Sequence, residues 1–147
     1  MSLNNIVDIC DTLQNALKKD CKSLEFVNAY PSEIKDFPIK KPTVSVTIKS
    51  VELPYLEGMY LGVDTNNKTH YGITAECDIA LNICVPKSMK GTDCYTAFNS
   101  VADSLLKMKD LLIKKVYCDV ISYDRILGAL VLKAGVKLSA RLSSITD

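Results

Sequence analysis

The sequence predicts an α+β domain in which an antiparallel-rich sheet is covered on one face by two helices. Three segments, 43–53, 71–85 and 126–142, alternate apolar and polar residues with the period of strands that have one buried face. Two others, 2–20 and 92–109, show the apolar spacing of amphipathic helices. With two shorter strands the order is α-β-β-β-α-β-β, and strand runs separated by single helices favour α+β layers.

The first third of the chain is predicted as a helix followed by two strands. The helix at 2–20 has one apolar stripe, made of Ile6, Ile9, Leu13 and Leu17. Residues 24–30 form a short β-prone run, and the proline-containing segment 31–42 is an irregular connection to the strand at 43–53.

The most informative segment runs from Tyr71 to Val85. Every second residue of this segment is apolar: Tyr71, Ile73, Ala75, Cys77, Ile79, Leu81, Ile83 and Val85. At about 3.3 Å per residue such a strand extends roughly 45–50 Å, which is longer than most strands. We expect it to overhang the domain as part of a long protruding β-hairpin. That feature is typical of chains that complete their packing against neighbouring subunits.

The second half of the chain is predicted as a helix and two strands. Thr92 is the expected N-cap of the helix at 92–109. Its apolar stripe is Tyr95, Phe98, Val101 or Ala102, Leu105 and Met108. In the strand at 113–122, we expect Val116, Cys118 and Val120 to face inward, and the strand at 126–142 closes the fold.

Length and composition favour a single domain spanning 1–147 with its own core. A net charge of +1 gives no electrostatic reason to expect a nucleic-acid partner, and no sequence-specific binding is expected. We see no signal peptide and no apolar stretch of the roughly 20 residues that span a bilayer. We therefore expect a soluble protein made in a cytosol, without a membrane partner.

The six cysteines are expected to be free and mostly buried thiols, because no export signal points to an oxidising compartment. The sole histidine, His70, has no cysteine or second histidine beside it, so no metal site is expected. No cofactor is predicted either.

No catalytic signature is present: the phosphate-binding, dinucleotide-binding and nucleophile-elbow glycine motifs are all missing. Glu76 and Asp78 are alternate residues on the predicted solvent-facing side of one strand and could form a carboxylate pair. A solvated face is the commoner explanation for such residues. His70 could serve as a base, but no nucleophile or orienting acid is identifiable. We expect no enzyme activity.

Residues 54–70 form the longest stretch without a pattern. Connections of this length are uncommon in compact domains and are usually functional or disordered. This one is too apolar for simple disorder, since it carries Tyr55, Leu56, Met59, Tyr60 and Leu61. Two interpretations remain open, a loop that folds back on its own sheet and an arm that binds another subunit.

The element order, together with several short motifs, resembles tail terminator (tail completion) proteins of tailed phages and phage-tail-like bacteriocins. The motifs are Gly58-Met59-Tyr60-Leu61-Gly62 followed by Tyr71-Gly72, the Pro86, Gly91 and Cys94 entry to the second helix, and Val120 with Tyr123-Asp124.

The resemblance implies a homo-oligomeric ring, usually a hexamer, that stops growth of the tail tube. Such a ring contacts the tail tube protein and the neck or collar, and in contractile systems the sheath. It is assembled in the host cytoplasm and then belongs to the particle. The interface residues we expect are Tyr55, Leu56, Met59, Tyr60, Leu61, Glu76 and Asp78.

Two other functions remain open at this stage. One is a head–tail connector of the same machine, which would bind the portal side. The other is a small α+β enzyme or ligand-binding domain, which requires a concave polar pocket that contains His70 or the pair Glu76 and Asp78.

Overall fold

The computed structural model describes residues 6–28, 41–53, 59–63, 65–109, 111–126 and 128–146. The elements in chain order are α1 (Ile6–Asp20), β1 (Glu25–Asn28), β2 (Thr43–Glu52), β3 (Met59–Val63), β4 (Thr69–Pro86), α2 (Gly91–Leu106), β5 (Leu112–Asp124) and β6 (Ala129–Thr146). This order confirms the predicted one, with β3 as an additional strand inside the segment 54–70.

The strands form one sheet in the order β1-β2-β4-β6-β5, and β3 pairs with β4 beyond the end of β2. All pairs are antiparallel except β1 with β2. β4 and β6 pair along their whole length, from Thr69 opposite Thr146 to Pro86 opposite Ala129. The predicted antiparallel-rich α+β sheet is confirmed.

The core lies between one face of this sheet and the two helices. Alternate residues of β4 from Ala75 to Val85 are buried, as the alternation predicts. The helices contribute Ile9, Leu13, Leu17, Cys94, Ala97, Val101 and Leu105 to the same cluster. α1 contacts β1 and β2, while α2 contacts β4, β5, β6 and α1. Both helices therefore cover the same face, and within the described ranges no helix packs on the other face of the sheet.

β3 extends the sheet past its helix-covered part. Its backbone pairs with β4 from Met59 opposite Gly72 to Val63 opposite Thr69, with an irregularity between Tyr60 and Gly62. Gly62 has a φ of 118°, a backbone conformation that residues with a Cβ atom rarely adopt. Part of the segment predicted as a loop is thus a strand, and β3, β4 and β6 form a three-stranded extension there.

Of the three residues of β5 that were predicted to face inward, Val116 packs on the core as expected, but Cys118 and Val120 need correction. Cys118 is exposed and Val120 is 61% exposed. Two irregularities, between Ile113 and Lys115 and between Cys118 and Ile121, shift the register against β6. Each extra residue reverses the alternation. The half-buried residues that pack on the core from this strand are Ile113, Val116 and Ile121.

The beginning of α2 also differs from the prediction. Thr92 lies within the helix, whose N-cap is Lys90, and the Lys90 N–H donates to the Asp93 carboxylate at 2.7 Å. Tyr95 is 45% exposed, because the buried stripe starts one residue earlier, at Cys94.

All six cysteines are free. Cys21, Cys77, Cys84 and Cys94 are buried and Cys10 is half-buried, so Cys118 is the exception to the predicted burial. Burial raises the pKa of the Cys77 and Cys84 thiols to about 11. Within the described ranges, neither helix is long and apolar enough to cross a membrane.

Candidate partner-binding surface

The face of the sheet opposite the helices, here called the outer face, carries Glu76 and Asp78. They lie on β4 between the buried residues Ala75, Cys77 and Ile79 and therefore point away from the core. Across the sheet, Glu76 is opposite Ser139 and Asp78 is opposite Lys137 on β6. The outer face thus holds the predicted pair within a row of polar side chains.

Glu76 is bound by two side chains of its own subunit. The Lys114 Nζ donates to its Oε2 at 2.7 Å, and the Ser139 Oγ lies 2.7 Å from both carboxylate oxygens. The hydrogen bonds from Lys114 and Ser139, together with the charge of Lys114, lower the pKa of Glu76. Glu76 is consequently held ionised, which does not suit a general acid.

Asp78 accepts a hydrogen bond of 2.7 Å from the Tyr117 hydroxyl of β5. Burial of the phenol, the hydrogen bond and the negative charge of Asp78 together raise the pKa of Tyr117 to about 12. Because β6 lies between β4 and β5, this contact reaches across a whole strand.

The crossing is possible because the intervening residue is Gly135. Tyr117 lies opposite Gly135 in the register of β5 and β6. A Cβ atom at Gly135 would overlap the Tyr117 phenol and lie 3.1 Å from the carbonyl oxygen of Ile79. Gly135 thus lets the ring lie flat over β6, where its hydroxyl meets Asp78.

Cations surround this network. Lys115 of β5 lies directly opposite Lys137 of β6, and its Nζ is 6.0 Å from the centre of the Tyr117 ring. Lys133, Lys137 and Arg141 are exposed along β6. Like charges on directly opposite residues of neighbouring strands destabilise a sheet, so Lys115 and Lys137 repel each other.

The structure does not bring all predicted interface residues together. Tyr55 and Leu56 lie outside the described residues. Met59, Tyr60 and Leu61 lie in β3, which pairs with β4 only up to Gly72, four residues before Glu76. Sequence reasoning missed Lys114, Tyr117, Gly135 and Ser139. The contacts of Lys114, Tyr117 and Ser139 with the carboxylates join residues that are 38, 39 and 63 positions apart in sequence, so they depend on the register of distant strands.

The carboxylate pair, which an enzyme interpretation would place in a concave pocket, lies on the outer face, where Lys114, Ser139 and Tyr117 bind it. His70 belongs to β4 and not to a loop, and its backbone is opposite Gly62 and Ile145. Among the described residues, no group of histidine, cysteine and carboxylate side chains is arranged to hold a metal ion.

A cleft does occur between the end of α1 and α2. It is lined by Asp20, Ser100, Asp103, Ser104 and Lys107. Ser104 Oγ donates to the Asp20 carboxylate at 2.8 Å, which ties the two helices together.

Comparison with solved structures gives a match over the full chain. The similar structure is the sheath/tube terminator of an extracellular contractile injection system (PVC), in its extended state. The TM-score is 0.56 at 15% sequence identity, and the match covers 100% of this chain and 60% of the other. This chain has the fold of that terminator.

This chain spans 60% of the length of the solved terminator. Neither a comparison with known protein families nor one with curated protein sequences gives a match.

Proposed function

We propose that the chain is a structural tail terminator that forms a ring on the end of a tail tube and stops its growth. The observation that carries this proposal is the terminator fold along the whole chain. The ring, for which we propose six copies, joins the tube protein to the neck or collar and, in a contractile particle, to the sheath. It assembles in the bacterial cytoplasm and remains in a phage or a phage-tail-like particle such as a bacteriocin.

No catalytic step is part of this function. The carboxylates that could perform acid–base chemistry are bound by Lys114, Ser139 and Tyr117 of the same subunit. These contacts hold the strands of the outer face in register, as a docking surface requires. Head-to-tail contacts between copies close into a ring when the rotation between them permits.

Two regions are proposed as interfaces. One is the arm 54–70, in which β3 holds part of the apolar segment at the far end of β4. The apolar residues that we propose for this contact are Tyr55, Leu56, Met59, Tyr60 and Leu61. The other is the outer face with Glu76 and Asp78, which lie where a polar partner surface can approach the sheet.

The function is tested by deleting the gene in the particle-producing host and imaging the tails. Overlong or uncapped tubes support the proposal, and their length should return to normal when the gene is supplied from a plasmid. Tails of normal, uniform length with intact collars would contradict it. A particle with capped tails that fails only at joining heads would point to a connector instead.

The arm is tested by replacing Tyr60 and Leu61 with serine. We expect weaker ring formation, measured by sedimentation, with an unchanged cooperative melting transition. Leu106→Ser is the matched control, because Leu106 is 75% exposed on α2, away from the arm. Loss of the melting transition in the arm variant alone would show that these side chains belong to the core.

A further inference from the structure

We propose that the outer face docks on an acidic protein surface through a row of cations on β6, here called the cation row: Lys133, Lys137 and Arg141, with Lys115 beside Lys137. This inference rests on the proposed function, because it names the chemistry of the surface against which the ring docks. It also assigns different roles to the charges of the outer face: the carboxylates organise the sheet, and the cations make the contact.

The carboxylates of the outer face are already engaged. Glu76 is neutralised by Lys114, and Asp78 accepts a hydrogen bond from Tyr117. Among the described residues, no carboxylate lies within ion-pairing distance of any member of the cation row. The charge that remains available to a partner on this part of the sheet is therefore mainly positive.

The backbone positions of the row are regular and are fixed by the sheet. Lys133, Lys137 and Arg141 are four residues apart on one strand, which is about 13 Å from one to the next. β6 is held between β4 and β5, so the row cannot shift as a flexible tail could. A partner must present its carboxylates at matching intervals, which favours a particular register.

The pair Lys115 and Lys137 supports a contact of this kind. They occupy directly opposite positions, where two positive charges repel each other. The fold retains this arrangement without an ion-pair partner for either side chain among the described residues. A carboxylate from a partner placed between them would relieve the repulsion.

The observations favour a protein over a nucleic acid. A nucleic-acid strand carries a charge at every step of about 3.4 Å, so cations about 13 Å apart would engage few phosphates. Glu52 lies opposite Glu76 on β2, Asp78 lies opposite Lys137, and Asp124 lies at the far end of β5. A DNA duplex is wide enough to cover several strands and would be repelled by these carboxylates, whereas a single acidic peptide strand can follow β6 alone.

The test measures binding of the full chain to an immobilised polyglutamate peptide and to duplex DNA, at about 0.05 M and about 0.5 M salt. We expect the wild-type chain to bind polyglutamate at low salt and to release it at high salt. The variant Lys133→Glu, Lys137→Glu, Arg141→Glu should lose about tenfold or more in affinity. The variant Lys133→Arg, Lys137→Arg, Arg141→Lys should bind like the wild type, because it keeps the charges.

The matched control is Lys19→Glu, Lys22→Glu, Lys87→Glu, which makes the same change in net charge at exposed positions outside β6. We expect its affinity to stay within about twofold of wild type. Equal losses in both reversal variants would overturn the proposal, since net charge alone would then explain the binding. DNA binding stronger than polyglutamate binding would overturn it in favour of a nucleic acid. Melting curves establish that each variant is folded.

A second measurement separates this inference from the proposed function. Tails isolated from the deletion host are incubated with each variant, and bound protein is counted by electron microscopy of labelled chain. Capping by the wild type but not by the cation-row variant supports both proposals. Equal capping by both overturns the cation row and leaves the terminator function standing. If the wild type itself does not bind tails, the terminator function fails, and the polyglutamate result alone decides the acidic-partner proposal.

Discussion

The two faces of the sheet differ in what holds their side chains, although the same strands supply both. On the helix-covered face, β4 and β6 contribute apolar side chains such as Ile79 and Leu138, which are fully buried. On the outer face, the neighbouring residues Asp78 and Lys137 lie at the surface, and Asp78 is held by a hydrogen bond from Tyr117. Packing therefore stabilises one face, and directed polar contacts organise the other.

This difference has a functional meaning. Burial of apolar area is the main source of folding free energy, so the helix-covered face must remain closed. Surface ion pairs and hydrogen bonds contribute little to stability but fix side chains in place. The outer face can thus present a defined charge pattern to a partner while the core alone maintains the fold.

The largest expected contrast between the faces comes from two adjacent residues. Leu138→Ala should lower the free energy of unfolding by about 2–5 kcal/mol, because a fully buried side chain leaves a cavity. Lys137→Ala should change it by less than about 0.5 kcal/mol. Urea denaturation measures both values. Similar losses in the two variants would show that the outer face is also part of the stabilising core.

A smaller loss is expected at Gly135. Gly135→Ala should cost about 1–3 kcal/mol, because the new Cβ collides with the Tyr117 ring and crowds the Ile79 carbonyl. In a Tyr117→Ala background the cost should fall, since the ring is gone and only the contact with the backbone remains. A double-mutant cycle by urea denaturation measures the coupling. Additive effects would mean that Tyr117 does not lie over Gly135.

Tyr117→Phe isolates the hydrogen bond to Asp78, and we expect a loss of about 1 kcal/mol near neutral pH. The pKa of Tyr117 is raised to about 12, so the folded state holds the phenol proton more tightly than the unfolded state. Its contribution is complete below about pH 10, the unfolded pKa, and is lost as the pH rises through the folded pKa. The stability difference between wild type and Tyr117→Phe should therefore narrow between those values. A constant difference would argue against the bond.

The smallest effect is expected from Glu76→Gln, which removes an ion pair with the partly exposed Lys114. We expect a loss of about 0.2–1 kcal/mol that decreases with added salt. The pKa of Glu76 is lowered, so its contribution is present above the unfolded pKa and is lost as the pH falls through the folded pKa. Glu25→Gln is the control, because its pair with Lys41 is longer, at 3.6 Å, and more exposed. A larger loss of stability in Glu25→Gln than in Glu76→Gln would contradict the expectation that the shorter ion pair contributes more.

Alternation was sufficient to predict β4 and β6, because these strands pair along their whole length without a register shift. It failed in part of β5. An extra residue between Cys118 and Ile121 reverses the parity, and Val120 in that stretch is exposed. Cys118 is also exposed, although it lies opposite the buried Ala134. Alternation also missed β3, whose five residues include Gly62 and an irregularity in pairing. Bulges are set by contacts between strands and leave no periodic signal within one strand.

The candidate surface was only partly predictable for the same reason. The alternation of polar residues along β4 identified Glu76 and Asp78 as solvent-facing, but not the side chains that bind them. Lys114 and Tyr117 are 38 and 39 residues away in sequence and meet the carboxylates only through β6. A single strand pattern contains no information on which strand lies next to it.

The position of β6 has a consequence for the timing of assembly in the cell. Of the six strands it is the last to leave the ribosome, yet it lies between β4 and β5 in the finished sheet. Until residues 129–146 are synthesised, β5 lacks the strand with which it pairs, and one edge of β4 is unpaired. An unfinished chain therefore cannot display the complete outer face. If the proposed function holds, translation itself would keep incomplete subunits from capping a tube prematurely.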